Sequence, residues 1–193
     1  NTTGQYNVAV GYEALKQNTI GIRNTALGYR ALQNTTTGYD NTAVGYHTLK
    51  SNTTGKHNIA IGYATMYANT IGIENNAMGY WALTTNTTGT HNVAIGSYAL
   101  KLNTTGVNNA AIGYGAMQAN ISGQSNVAVG SYALQANTTG QYNTAVGPWA
   151  MYYNTIGWGN TALGNFALRR TTTGTTNTAV GYEALRLNTI GKY

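Results

Sequence analysis

Asn7-Val-Ala-Val-Gly11 is followed by Asn24-Thr-Ala-Leu-Gly28 and then by Asn41-Thr-Ala-Val-Gly45, and the spacing never changes. The motif returns every 17 residues, eleven times, headed by Asn7, Asn24, Asn41, Asn58, Asn75, Asn92, Asn109, Asn126, Asn143, Asn160 and Asn177. Self-similarity at a fixed short period marks a solenoid. A unit of 17 residues is too short for a helix pair or a propeller blade, which need about 34 to 45. It suits one coil of a β-solenoid. Residues 1–193 therefore form a single repeat array: a partial unit at 1–6, then eleven coils over 7–193. Its beginning inside a repeat and its lack of polar caps lead us to expect a section of a longer fibre.

With the motif asparagine as column 1, Ala fills column 3, an aliphatic column 4, Gly column 5, most often Tyr column 6, and Leu or Met column 9. Column 12 is usually Asn, column 13 almost always Thr, and column 15 always Gly. Asn-x-Ala-Val-Gly reads as a short strand. Ala-Leu-x-x-Asn reads as a second strand or a single helical turn, which five residues do not separate. Asn-Thr-Thr-Gly reads as a turn in which Gly supplies a positive φ. The column-5 Gly turns another corner or allows backbones to approach closely. Stacked coils put like over like, so the Asn of columns 1 and 12 are placed to form amide ladders.

Every charged residue falls in columns 7, 10, 11, 16 or 17, which marks these five as the solvent face. Inward side chains are then the two Ala columns, the column-4 aliphatic and the Leu or Met of column 9. That core is thin against the entropy of ordering a coil. The stripe Tyr12, Tyr29, Tyr46, Tyr63, Tyr80, Tyr114 and Tyr182 offers a remedy. A regular aromatic stripe suits cover by another chain with its hydroxyls at the wet edge, so a homo-oligomeric rod is expected.

Only 7% of residues are charged, and the net charge of +6 is scattered, so nucleic-acid binding has little electrostatic basis. No apolar run approaches the roughly 20 residues of a membrane helix. Catalysis has little material: four acids, three histidines and no cysteine, all dispersed. No enzyme activity, cofactor or metal is expected.

Column 17 runs Arg23, Asp40, His57, Glu74, His91 in consecutive coils. His57, Glu74 and His91 could form a metal or pH-sensitive site; a surface charge ladder is the plainer reading. Asn-x-Thr/Ser sequons at Asn1, Asn34, Asn52, Asn86, Asn103, Asn120 and Asn137 are potential glycan acceptors, although a corner ladder would turn column 12 inward. Aromatics concentrate in Trp149, Tyr152, Tyr153, Trp158 and Phe166, the candidate adhesive patch for surface glycans or a host-cell receptor.

Asn-x-Ala-[Val/Ile]-Gly-x-x-Ala resembles the head repeat of trimeric autotransporter adhesins. Asn24-Thr-Ala-Leu-Gly-Tyr-Arg-Ala-Leu32 is similar to the repeats of tail-fibre-type proteins. The resemblance covers the whole chain, but the adhesin head repeat is shorter than 17 residues. It implies a parallel homotrimer of left-handed β-rolls, extracellular, on a cell surface or on a virion. The function expected is a structural or adhesive fibre for attachment or for end-to-end filament formation. A phage tail-fibre shaft is the first alternative. An ice-binding solenoid is the second, weakened because the threonines lie beside a Gly turn rather than on a Thr-x-Thr face.

Overall fold

The computed structural model describes residues 2–191. The fold is all-β, without a helix among the described residues: eleven strands of three residues each, from β1 (Val8–Val10) and β2 (Thr25–Leu27) to β11 (Thr178–Val180), form one parallel sheet in chain order. Register is set by the repeat. Ala9 pairs with Ala26, Ala26 with Ala43, and so on to Ala162 with Ala179. This is a β-solenoid whose coils stack about 4.8 Å apart, giving a rod on the order of 50 Å long.

The strands are short, yet hydrogen bonding between coils continues around the whole turn. Arg30 N–H donates to the Tyr12 carbonyl (2.8 Å), Leu32 to Thr48 (3.1 Å) and Asn34 to Lys50 (3.1 Å). In column 13 a single carbonyl gathers several donors. The Thr36 oxygen accepts the N–H groups of Thr19, Ile20 and Gly21 at 3.0–3.2 Å, and the Thr19 hydroxyl at 2.9 Å. The Ala-Leu-x-x-Asn segment is neither strand nor helix but a turn, in which the column-12 N–H returns to the column-9 carbonyl, as Asn52 does to Leu49 (3.1 Å).

The core is narrower than the sequence reading had it. Ala of columns 3 and 8 and Leu or Met of column 9 are buried along the rod. The column-4 aliphatics are not: Val10, Leu27, Met78 and Ile95 are 41–55% exposed. Strand alternation sends columns 2 and 4 outward when Ala of column 3 points in. The interior beside it is occupied by asparagine amides rather than by larger aliphatics. Where column 8 is Thr, the buried hydroxyl finds a carbonyl: Thr48 donates to Gly62 and Thr65 to Gly79, both at 2.7 Å.

Column 5 turns a corner and allows the close backbone approach read from the sequence: a Cβ on Gly28 would collide with the Gly45 carbonyl oxygen. The positive φ expected at column 15 is not there; it belongs to column 5 (125° to 139°). Column 15 needs Gly for space. A Cβ on Gly72 would lie 2.6 Å from the Gly89 carbonyl oxygen. Three further corners per coil, at columns 7, 9 and 17, are left-handed and occupied almost throughout by non-glycine residues, such as His47 (φ 55°), Leu49 (50°) and His57 (56°). The two glycines outside columns 5 and 15, Gly115 and Gly159, stand at just such corners (φ 62° and 67°).

Candidate functional site

The column-1 asparagines are fully buried from Asn24 to Asn160, apart from a trace of exposure at Asn109; Asn177 at the C-terminal end is 1% exposed. Their ladder runs the length of the rod. Asn58 Oδ1 accepts the backbone N–H of Asn75 (3.0 Å) and its side-chain amide (3.2 Å). The Nδ2 of Asn58 donates within its own coil to the Gly72 carbonyl (2.8 Å), closing the turn. Asn7, in the first coil, is only partly buried but makes the corresponding bond to Gly21 (2.8 Å). Column 12 forms a second ladder, with Asn69 Nδ2 on Asn52 Oδ1 (2.9 Å) and Asn86 on Asn69 (2.8 Å). This engages the sequon asparagines Asn52, Asn86, Asn103, Asn120 and Asn137, all fully buried; Asn34, in column 11, is half-buried, and Asn1 lies outside the described residues. These ladders hold shape and offer no acceptor to the surface.

What faces outward is the aromatic file. Tyr12, Tyr29, Tyr46, Tyr63 and Tyr80 stack with centroids 5.0–5.2 Å apart and ring planes within 20°. In the next coil column 6 is Ser97, and the file continues through column 7. Tyr98 lies 5.5 Å from Tyr80 and 5.7 Å from Tyr114, edge to face. Tyr132 and Trp149 do the same beside Ser131 and Pro148, and Phe166 beside Asn165 reaches Tyr182 at 6.3 Å. Every coil thus places an aromatic in column 6 or in column 7. Reading the two columns as a pair, rather than one at a time, would have found this in the sequence.

Cations lie along the file. The Arg30 guanidinium is 5.0 Å from the Tyr29 ring, and Arg169 bridges Trp149, Tyr153 and Phe166 at 5.2–5.8 Å. His47 is half-buried among Tyr29, Tyr46 and Tyr67. Burial, with Lys50 and Arg30 nearby, pushes its imidazole below the ordinary range.

The candidate adhesive patch divides. Trp149, Tyr152 and Tyr153 cluster at 4.6–4.7 Å, and Arg169 joins Phe166 to them. Trp158 stands apart, 52% exposed, in an open groove with Tyr142, Ile156, Gln141 and Thr139.

Column 17 separates into ion pairs. Arg23 grips Asp40 with two bonds (2.6 and 2.9 Å) and holds its carboxyl below the usual range. His57 lies 3.8 Å from the same Asp40, while His91 pairs with Glu74 at 3.1 Å. His57, Glu74 and His91 therefore do not converge as three ligands, and no cluster of three or more metal-ligating His, Cys, Asp or Glu occurs among the described residues. A second network joins Glu13 to Lys16 (2.7 Å) and Arg30 (2.8 Å), and these partners, Lys16 foremost, lower the Glu13 carboxyl.

Comparison with known family models, curated proteins and solved structures finds no match. The surface itself is what informs function: an aliphatic file, an aromatic file beside it, and one isolated aromatic groove. No helix among the described residues is long and apolar enough to cross a membrane.

Proposed function

We propose that this chain is a segment of an extracellular structural or adhesive fibre, a stiff spacer built as a parallel homotrimer. The observation that carries the reading is the outward file of column 4. Eight of its eleven aliphatics, Val10, Leu27, Met78, Ile95, Ile112, Val146, Leu163 and Val180, are 37–68% exposed, one per coil, with no charge among them. A contiguous apolar strip along a whole rod is unusual for an isolated chain. Its best-matched cover is another copy, because only a copy repeats the same rise at every coil. The tyrosine stripe borders the strip and supplies an amphipathic rim. Asn ladders inside and threonine ladders between coils serve stiffness, and the cationic and aromatic residues of columns 7, 10 and 16 remain to meet partners.

The test is the mass in solution by light scattering, against the 20.4 kDa of one chain. The reading expects three times that mass, reduced to the single-chain value by the pair Ile95→Lys and Ile112→Lys without loss of strand circular dichroism. A wild-type monomer at concentrations where the variants are also monomeric removes the trimer.

A further inference from the structure

Two of the most exposed aromatics do not belong to the aromatic file. Tyr142 (62% exposed) and Trp158 (52%) come from successive coils and line one open groove of about 360 Å³ with Thr139, Gln141 and Ile156. Column 17 carries a side chain in every coil from Arg23 to Thr176 except one, and the exception is here: Gly159, directly between Tyr142 and Thr176. A Cβ built on Gly159 meets nothing nearer than Thr176 Cγ2 at 3.5 Å. The missing side chain leaves an open slot at this corner, next in the chain to Trp158. Along column 16 a ligand laid parallel to the rod meets Gln124, Gln141 and Trp158 in succession.

The charge pattern narrows the occupant. From Asn92 to Leu168 the only charged residue is Lys101, and it lies over the Trp81 and Tyr98 rings of the aromatic file, 4.8 and 5.3 Å from their centroids. None of the five lining residues is charged, so the groove offers the π faces of Tyr142 and Trp158, the Gln141 amide and the Thr139 and Tyr142 hydroxyls, with no ionic partner in its lining. That set matches a pyranose, whose C–H face packs on an aromatic ring while its hydroxyls take the amide donors and acceptors.

We propose that the groove lined by Tyr142 and Trp158, extended by the open Gly159 corner that follows Trp158 in the chain, is a binding subsite for a neutral, linear oligosaccharide. The proposal rests on the adhesive part of the fibre reading and names its ligand. Cellohexaose, maltohexaose and laminarihexaose are titrated calorimetrically into the wild-type chain, with a sialylated oligosaccharide and an uncharged hexapeptide as comparators. At least one neutral hexasaccharide is expected to bind, and Trp158→Ala to weaken it about tenfold, the equivalent of one or two lost stacking contacts. Gly159→Asn fills the slot with a residue that column 17 already holds at Asn108 (φ 58°), so it keeps the fold and is expected to weaken binding likewise. Trp149→Ala leaves binding unchanged. Failure of all three sugars, preference for the sialylated ligand or the peptide, or binding insensitive to both Trp158→Ala and Gly159→Asn overturns the proposal. The fibre reading is judged separately, by mass: a trimer that binds none of these sugars loses the subsite and keeps the rod.

Discussion

Asn58 and Asn69, eleven positions apart and from two different ladders, donate their side-chain amides to the same oxygen, the Gly72 carbonyl, at 2.8 and 3.2 Å. The arrangement repeats in other coils, as with Asn75 and Asn86 on Gly89 (2.8 and 3.0 Å). A backbone carbonyl has two lone pairs, and here both are satisfied from inside the coil. This explains why column 1 and column 15 do not vary and column 12 varies little: the column-1 amide closes every coil, and where column 12 is Thr35 or Thr171 it closes the coil alone, on Gly38 and Gly174.

Asn58→Ala is the direct test of that linkage. It removes the closure onto Gly72, strands the Asn75 backbone N–H, and leaves a buried void. With unsatisfied buried groups costing about 1–3 kcal/mol each, we expect a loss of roughly 3 kcal/mol in guanidinium unfolding. Asn7→Ala, in the partly buried first coil, should cost clearly less. Equal losses at the two sites would mean that the ladder does not carry the coil.

The left-handed corners give a prediction of opposite sign. Thr176 holds φ 56°, a conformation that is poor for a β-branched residue, and Gly159 in the preceding coil shows what the corner favours. Thr176→Gly should raise stability by up to about 1 kcal/mol, because relief of left-handed strain exceeds the added entropy of the unfolded chain. By contrast, Gly62→Ala keeps a forbidden φ of 130° and puts a Cβ 2.8 Å from the Gly79 carbonyl. It should cost about 3 kcal/mol or more. Thermal melts of the two variants, moving in opposite directions from wild type, check both.

How far such features are legible in sequence depends on whether a rung constrains residue type. Column 1 shows plainly, because a ladder of amides tolerates only another amide. The corners at Leu49 and Trp81 do not show, since Leu and Trp have no preference for left-handed backbone; the hydrogen bonds to adjacent coils impose it. Column 4 misled for a different reason. Counting both Ala and the aliphatic after it as inward overlooks that, in a three-residue strand such as Thr25-Ala26-Leu27, neighbours turn to opposite faces. The interior, shared by the asparagine amides and the column-9 Leu or Met, takes the Ala and leaves the aliphatic outside. The split of Trp158 from Trp149 follows from their columns, 16 and 7, which composition alone does not weigh.

The tyrosine stack contributes to the single coil as well as to any contact between copies. Tyr46 lies 5.1 Å from Tyr29 and 5.0 Å from Tyr63, with ring planes 8° apart in both pairs. At about 0.5–1.5 kcal/mol per aromatic pair, Tyr46→Ala should cost roughly 1–3 kcal/mol. Tyr46→Phe keeps both stacks and should be close to neutral in thermal unfolding. A Phe variant as damaged as the Ala variant would assign the effect to the hydroxyl instead of the ring.

Acid should weaken the rod through His47 before any carboxylate responds. Above about pH 6.5, the ordinary imidazole value, His47 is neutral both folded and unfolded, and no penalty exists. In the folded chain its value is depressed by burial and by the cations Lys50 and Arg30. As pH falls below the ordinary value, the unfolded chain binds the proton and the folded chain does not, so stability declines. The decline levels off once pH passes below the depressed folded value, where both states are protonated. The Asp40 and Glu13 carboxyls, lowered by Arg23 and Lys16, lose their contributions only in more acidic solution, as pH falls through the ordinary carboxylate values toward their depressed folded ones. Melting midpoints measured from pH 7.5 to 5 should therefore fall in the wild-type chain and fall less in His47→Gln, which is neutral throughout. Parallel slopes for the two proteins would place the acid-sensitive proton on another residue.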